Sequence, residues 1–126
     1  MSRKNNNIII SVDTTFISNK SVIQNDTYVF SYSINIFNKN SFNIQLLSRY
    51  WNITDSNGNL EEIRGPGVIG QTPIIKPGSS FKYSSFCSLY TPFGVMHGVF
   101  YMKRDNEKYF DVTIPPFKLI IPGQKN

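Results

Sequence analysis

The most sharply spaced residues that could do chemistry are Gly65, Gly67 and Gly70 in the run Gly65-Pro66-Gly67-Val68-Ile69-Gly70, which fits G-x-G-x-x-G. In a dinucleotide-binding fold such glycines bring backbone close to a pyrophosphate at the N-terminus of a helix. Here Gln71-Thr72-Pro73-Ile74-Ile75-Lys76-Pro77-Gly78 follows, and its two prolines forbid the helix. Two readings remain. Successive N–H groups of the turn could form a nest for an anion, helped by the adjacent Arg64, by Lys76, and by Arg49 on the neighbouring strand. Alternatively, the glycines permit positive φ at a bulged sheet corner, the commoner use of such a pattern.

Arg49 carries the same duality. Its planar fork could grip phosphate or carboxylate, or it could stack on Trp51 and bond backbone carbonyls. Cys87 and His97 are one residue each of their kind. They could pair as nucleophile and base, but no third group is spaced to orient them, and Cys87 alternates with Phe81, Tyr83 and Ser85 as a buried side chain would. Asp55, Glu61 and Glu62 cluster near one turn and Asp105, Glu107 and Asp111 near another; neither set has the spacing of a dedicated calcium loop. No catalytic residue, metal site or cofactor is expected. The candidate ligand site is an anion site at Gly65, Gly67, Gly70, Arg64 and Arg49.

Any of these side chains must be positioned by strands. The chain of 126 residues has 10 Phe, 7 Tyr, 30 Ile, Val and Thr together, and no Ala. β-Branched and aromatic side chains suit a pleated surface, and the best helix formers are scarce. Residues 27–38 alternate with Tyr28, Phe30, Tyr32, Ile34 and Ile36 on one face, a half-buried antiparallel strand. Residues 43–54 follow, with Leu47, Arg49, Trp51 and Ile53 on one side, and Asn57-Gly58 predicts a type I′ hairpin turn back to residues 60–64. Strands are expected at 8–18, 80–89, 95–103 and 108–114. Pro115-Pro116 should interrupt the ladder before a last strand from Phe117 to Ile121. Seven or more short strands without a helix predict an all-β sandwich of two antiparallel sheets, of immunoglobulin or fibronectin type III kind. One domain is expected over residues 8–122, with short tails at 1–7 and 123–126.

The formal net charge is +5, from 13 Lys and Arg against 8 Asp and Glu. The charges are scattered, and most aromatics alternate into the core, so a nucleic-acid stacking surface is not expected. A single Cys excludes an intramolecular disulfide. Apolar runs of three or four residues are too short for a membrane span. The expectation is a soluble cytoplasmic protein that does not engage a membrane.

Longer stretches resemble a known family. Leu46-Leu47-Ser48-Arg49-Tyr50-Trp51-Asn52-Ile53-Thr54-Asp55, then Gly58, then residues 65–73, are similar to the bacterial ApaG family. Pro77-Gly78, Phe81-Lys82-Tyr83-Ser84-Ser85, Thr91-Pro92, Gly94-Val95-Met96-His97-Gly98 and Asp111-Val112-Thr113-Ile114-Pro115-Pro116-Phe117 continue the likeness in order, across residues 8–122. Tyr50 stands where the family often has histidine, and Pro66 where an acidic residue is common. The resemblance implies the same sandwich fold and brings no catalytic residues. It implies a link to divalent-cation homeostasis, notably cobalt resistance and magnesium efflux, and an association with the gene for a diadenosine tetraphosphate hydrolase. Related eukaryotic domains imply protein or ligand binding. The expected function is a non-enzymatic interaction domain with a protein partner or a second copy of itself. The alternative is a phosphate, pyrophosphate or nucleotide-binding module using the 65–70 turn.

Overall fold

A computed structural model describes residues 5–105 and 107–122. Among them eight strands run in chain order: β1 (Ile8–Phe16), β2 (Tyr28–Asn38), β3 (Ile44–Asp55), β4 (Leu60–Pro66), β5 (Ile74–Ile75), β6 (Ser80–Leu89), β7 (Phe93–Arg104) and β8 (Tyr109–Ile120). Two antiparallel sheets result, β1-β2-β6 and β4-β3-β7-β8, with the short β5 added to the start of β3. The all-β sandwich expected from composition and alternation is the observed fold. Single 3-10 turns at Ser18–Lys20 and Ile23–Asn25 join β1 to β2.

The core follows from period-two alternation. Phe30, Ile34 and Ile36 of β2 face Trp51 of β3 and Phe100 of β7, all at most 2 % exposed. Trp51 is its centre, edge-on to Tyr32, Phe100 and Phe117 with ring centroids 5.4, 6.3 and 5.9 Å away. Such geometry sets the positive ring edge against a neighbour's negative face. The indole lies against bare backbone: a Cβ on Gly98, its partner on β7, would stand 2.1 Å from the Tyr50 carbonyl oxygen and 3.0 Å from Trp51 Cε3.

Three local features depart from expectation. A bulge at Leu47 shifts the register between β3 and β7, so Leu46 and not Leu47 takes the core position before Arg49. Pro115-Pro116 does not split the last strand. The register slips between Met96/Phe117 and Gly98/Ile114, so the extra residue bulges on β8 and one strand runs through the prolines. At Asn57-Gly58 only Gly58 has positive φ (+85°), where a type I′ turn needs two such residues. Asp55 N–H donates to Asn59 O at 3.0 Å and Gly58 N–H to Asp55 O at 3.1 Å, a three-residue loop. Its carboxylate accepts the Asn57 and Asn59 amides at 2.9 and 3.0 Å, which favours this loop over the tighter turn. The second hairpin repeats the pattern, with Arg104 N–H to Lys108 O at 2.9 Å and Glu107 N–H to Arg104 O at 3.0 Å. Asn106, expected in that turn, lies outside the described residues.

The two long sides of the sandwich are unlike. On the β1/β8 side the Asn5 side chain bonds Thr113 twice, donating to its carbonyl at 3.1 Å and accepting its N–H at 2.9 Å, as a neighbouring strand would. Asn6 donates to Asp111 O, and Thr14 to Lys118 O. Asn5 and Asn6, expected within the tail, thus cover the β8 edge. The opposite side, between edge strands β4 and β6, is open.

Candidate functional site

A cleft of about 590 Å³ enters the sandwich between β4 and β6. Inward-facing positions build it: Arg49, Trp51 and Ile53 from β3, Glu61 and Ile63 from β4, Tyr83, Ser85 and Cys87 from β6, and Tyr32 from β2. The turn residues Val68, Ile69 and Gly70 close one end. The lining is mixed: Ile53, Ile63, Val68 and Met96 stand beside the polar ends of Tyr32, Arg49, Glu61, Tyr83 and Ser85.

The glycine-rich turn is held mostly by the protein itself. Gly67 N–H donates to Leu47 O at 2.7 Å, Val68 N–H to Gln71 O at 2.8 Å, and Gln71 N–H to Val68 O at 2.9 Å. Gly65 sits opposite Arg49 in the β3–β4 ladder. Ile69 and Gly70 form the tip between the paired Val68 and Gln71, with φ of +43° and +77°. Gly67 has φ +59°, and a Cβ there would lie 2.1 Å from the Gln71 oxygen.

Arg49 reaches this turn from inside. Its Nη1 donates to the carbonyls of Pro66 and Gly67 at 3.1 and 3.0 Å, and a Cβ on Gly65 would sit 2.9 Å from the same nitrogen. Arg49 therefore brackets the carbonyl side of the turn and does not stand beside its tip amides. Arg64, one residue out of phase, faces the other side of the sheet with its guanidinium 4.4 Å from the centre of the Tyr50 ring. Tyr50 there donates to Glu62 at 2.5 Å and accepts from Asn52 at 3.2 Å. The two arginines of the expected anion site are thus on opposite faces, because strand neighbours alternate.

The remaining candidates are dispersed. Cys87 faces the cleft, while His97 pairs with Asn52 on the outer face of the other sheet, so the two do not meet. Burial pushes the Cys87 thiol up to about 11, with Glu61 adding to the effect, which keeps it protonated. Asp55 is committed to its own loop, Glu62 to Tyr50, and Glu61 to the cleft. Among the described residues no three His, Cys, Asp or Glu side chains are grouped to hold a metal.

Sequence reading missed Tyr32, Tyr83 and Ser85 as parts of a site. Burial pushes the Tyr83 hydroxyl well above the ordinary tyrosine value; Tyr32 adds to this and the Arg49 charge opposes it. Tyr32 is raised by burial too, with a hydrogen bond to Ser85 working against it. The available signal was the row Tyr83, Ser85, Cys87, in which polar atoms occupy successive inward positions of one strand.

Comparison with known proteins places this architecture. The chain is 46 % identical to Protein ApaG of Brucella anthropi over 118 residues, covering 94 % of this chain and 91 % of that protein. Protein ApaG of Agrobacterium fabrum is 44 % identical over 116 residues, 92 % of this chain and 89 % of its own. A solved structure described as an ApaA protein from Bordetella pertussis superposes with a TM-score of 0.90 at 38 % identity, covering 93 % of this chain and 95 % of that one. The family model for the ApaG domain matches residues 18–104, and with these relatives it shows that the chain belongs to the ApaG domain family.

Proposed function

We propose that this protein is a non-enzymatic, cytoplasmic interaction domain whose protein partner docks along the open β4/β6 side. The observation that carries the reading is the distribution of exposed apolar side chains. Ile69, Phe86 and Tyr90 line the cleft mouth, and Leu60 stands beside Tyr90 in the adjoining hollow, each more than half exposed. Both flanking strands are sheet edges with unpaired backbone groups, which an extended segment of a partner can complete. On the other side the β8 edge is already covered by Asn5 and Asn6. The link to divalent-cation homeostasis implied by family likeness then acts through that partner.

Cross-linking in cells followed by affinity capture tests this, with Phe86→Ser/Tyr90→Ser compared against Tyr109→Ser, an exposed aromatic on another strand. The expected result is a discrete partner, or a second copy, lost only with the rim variant. Capture that is unchanged by the rim substitutions, or a chain that stays alone, overturns the reading.

A further inference from the structure

The interior of the cleft holds something the rim does not need. Tyr83 is 6 % exposed and Trp51 2 %, and neither the Tyr83 hydroxyl nor the Trp51 indole N–H has a partner among protein groups. A buried donor without a partner costs stability, and phenylalanine at position 83 would fill the same space without that cost. Both side chains line the same cavity as Arg49. The Arg49 bonds to the turn use Nη1 alone, leaving the rest of a fixed guanidinium fork. Arg49 and the Trp51, Tyr32 and Tyr83 side chains thus border one space, with the two unpartnered donors buried in its wall.

We propose that the cleft binds a small, flat organic acid, with its anionic head at Arg49 and Tyr83 and its apolar body against Trp51 and Tyr32. This site lies inside the cleft whose mouth Ile69, Phe86 and Tyr90 form, and it uses none of those three side chains. The volume of about 590 Å³ admits such a ligand. The raised Tyr83 hydroxyl stays protonated at neutral pH, so it donates to the acid and does not repel it. Glu61 lies across from Ile53 on the inner wall, about 13 Å along the strand from Arg49. Its carboxylate disfavours a second anionic group at the far end, so a monoacid is preferred over a polyphosphate.

The chain has a single Trp, so its indole N–H gives one NMR resonance inside the site. The experiment follows that resonance while titrating benzoate, benzyl alcohol, acetate and tripolyphosphate separately, up to about 10 mM each. The same titration is run on Tyr83→Phe, with Tyr50→Phe on the outer face as control. Benzoate is expected to give a saturable shift, with the other three weaker. Tyr83→Phe should melt at or above the parent temperature yet weaken benzoate about fivefold or more, while Tyr50→Phe leaves affinity unchanged. The proposal fails if benzoate leaves the indole resonance unmoved, if benzyl alcohol, acetate or tripolyphosphate matches it, or if Tyr83→Phe binds as well as the parent.

Discussion

Arg49 donates to the carbonyl of Gly67 at 3.0 Å, from the inner face of the neighbouring strand. The bond joins the two residue types that sequence singled out, but in the opposite sense from an anion site, since the arginine meets carbonyl oxygens. Its geometry ties the turn to the cleft floor, so perturbing either should disturb both.

The glycines of the turn should therefore differ in tolerance. Gly67→Ala puts a methyl 2.1 Å from the Gln71 oxygen at positive φ and is expected to cost about 3 kcal/mol or more. Gly70 also has positive φ but opens on empty space, so Gly70→Ala should cost only about 1 kcal/mol, the backbone preference alone. Urea unfolding of the two variants checks this; equal losses would contradict the geometry.

Asn38 is fully buried at the end of β2 and joins three segments. Its amide donates to Phe42 O and Ile75 O, both at 2.9 Å, and its oxygen accepts the Asn40 N–H at 2.9 Å. Asn38→Ala removes all three partners and is expected to lower stability by about 3 kcal/mol in equilibrium denaturation. Asn38→Asp should be worse, since a carboxylate would then face two carbonyl oxygens.

Stability should fall at both ends of the pH range, for different groups. Burial raises Asp55, but the amides of Asn59, Asn57 and Gly58 and the Asn59 side chain outweigh it, so its carboxyl is held below the ordinary 3.8. The unfolded chain then takes up that proton first. The contribution is present above 3.8 and is lost as pH falls through the native value. Asp55→Asn should flatten the acid limb of urea midpoint against pH. Cys87 acts at the other end: its native value of about 11 lies above the ordinary 9.0, so stability present below 9.0 is lost as pH rises through 11. Its labelling by a thiol reagent near pH 8 should be about 100-fold slower than that of a free cysteine.

Glu107 occupies in the second hairpin the left-handed position that Gly58 holds in the first, with φ of +68° and +85°. Glu107→Gly should stabilise the protein by about 0.5–1 kcal/mol. The exposed Lys103–Glu107 pair at 3.4 Å that it removes offsets little of this gain. A lower midpoint in thermal melting would refute the assignment.

Much of the sandwich was legible because alternation in segments such as 28–36 and 80–89 is a local property, and apolar burial on one face follows from it directly. The bulges at Leu47 and at Pro115-Pro116 were not, because each depends on which residue of a distant strand lies opposite. The same limit governed the site. Sequence identified Arg49, Gly65, Gly67 and Gly70 and their nearness across the β3–β4 hairpin. It did not show that Arg49 bonds the turn's carbonyls, nor that Arg64 faces away on the opposite side.

The composition and period of the chain by themselves determined the class of fold, the positions of most strands and the burial of Cys87, since these need only β-propensity and a two-residue repeat. Tertiary structure alone decided that the β1/β8 side is covered and the β4/β6 side open, and that Tyr32, Trp51 and Tyr83 share one cavity with Arg49. Those residues come from three strands in two sheets. Their meeting is set by how the sheets pack, a non-local choice that no spacing along the chain encodes.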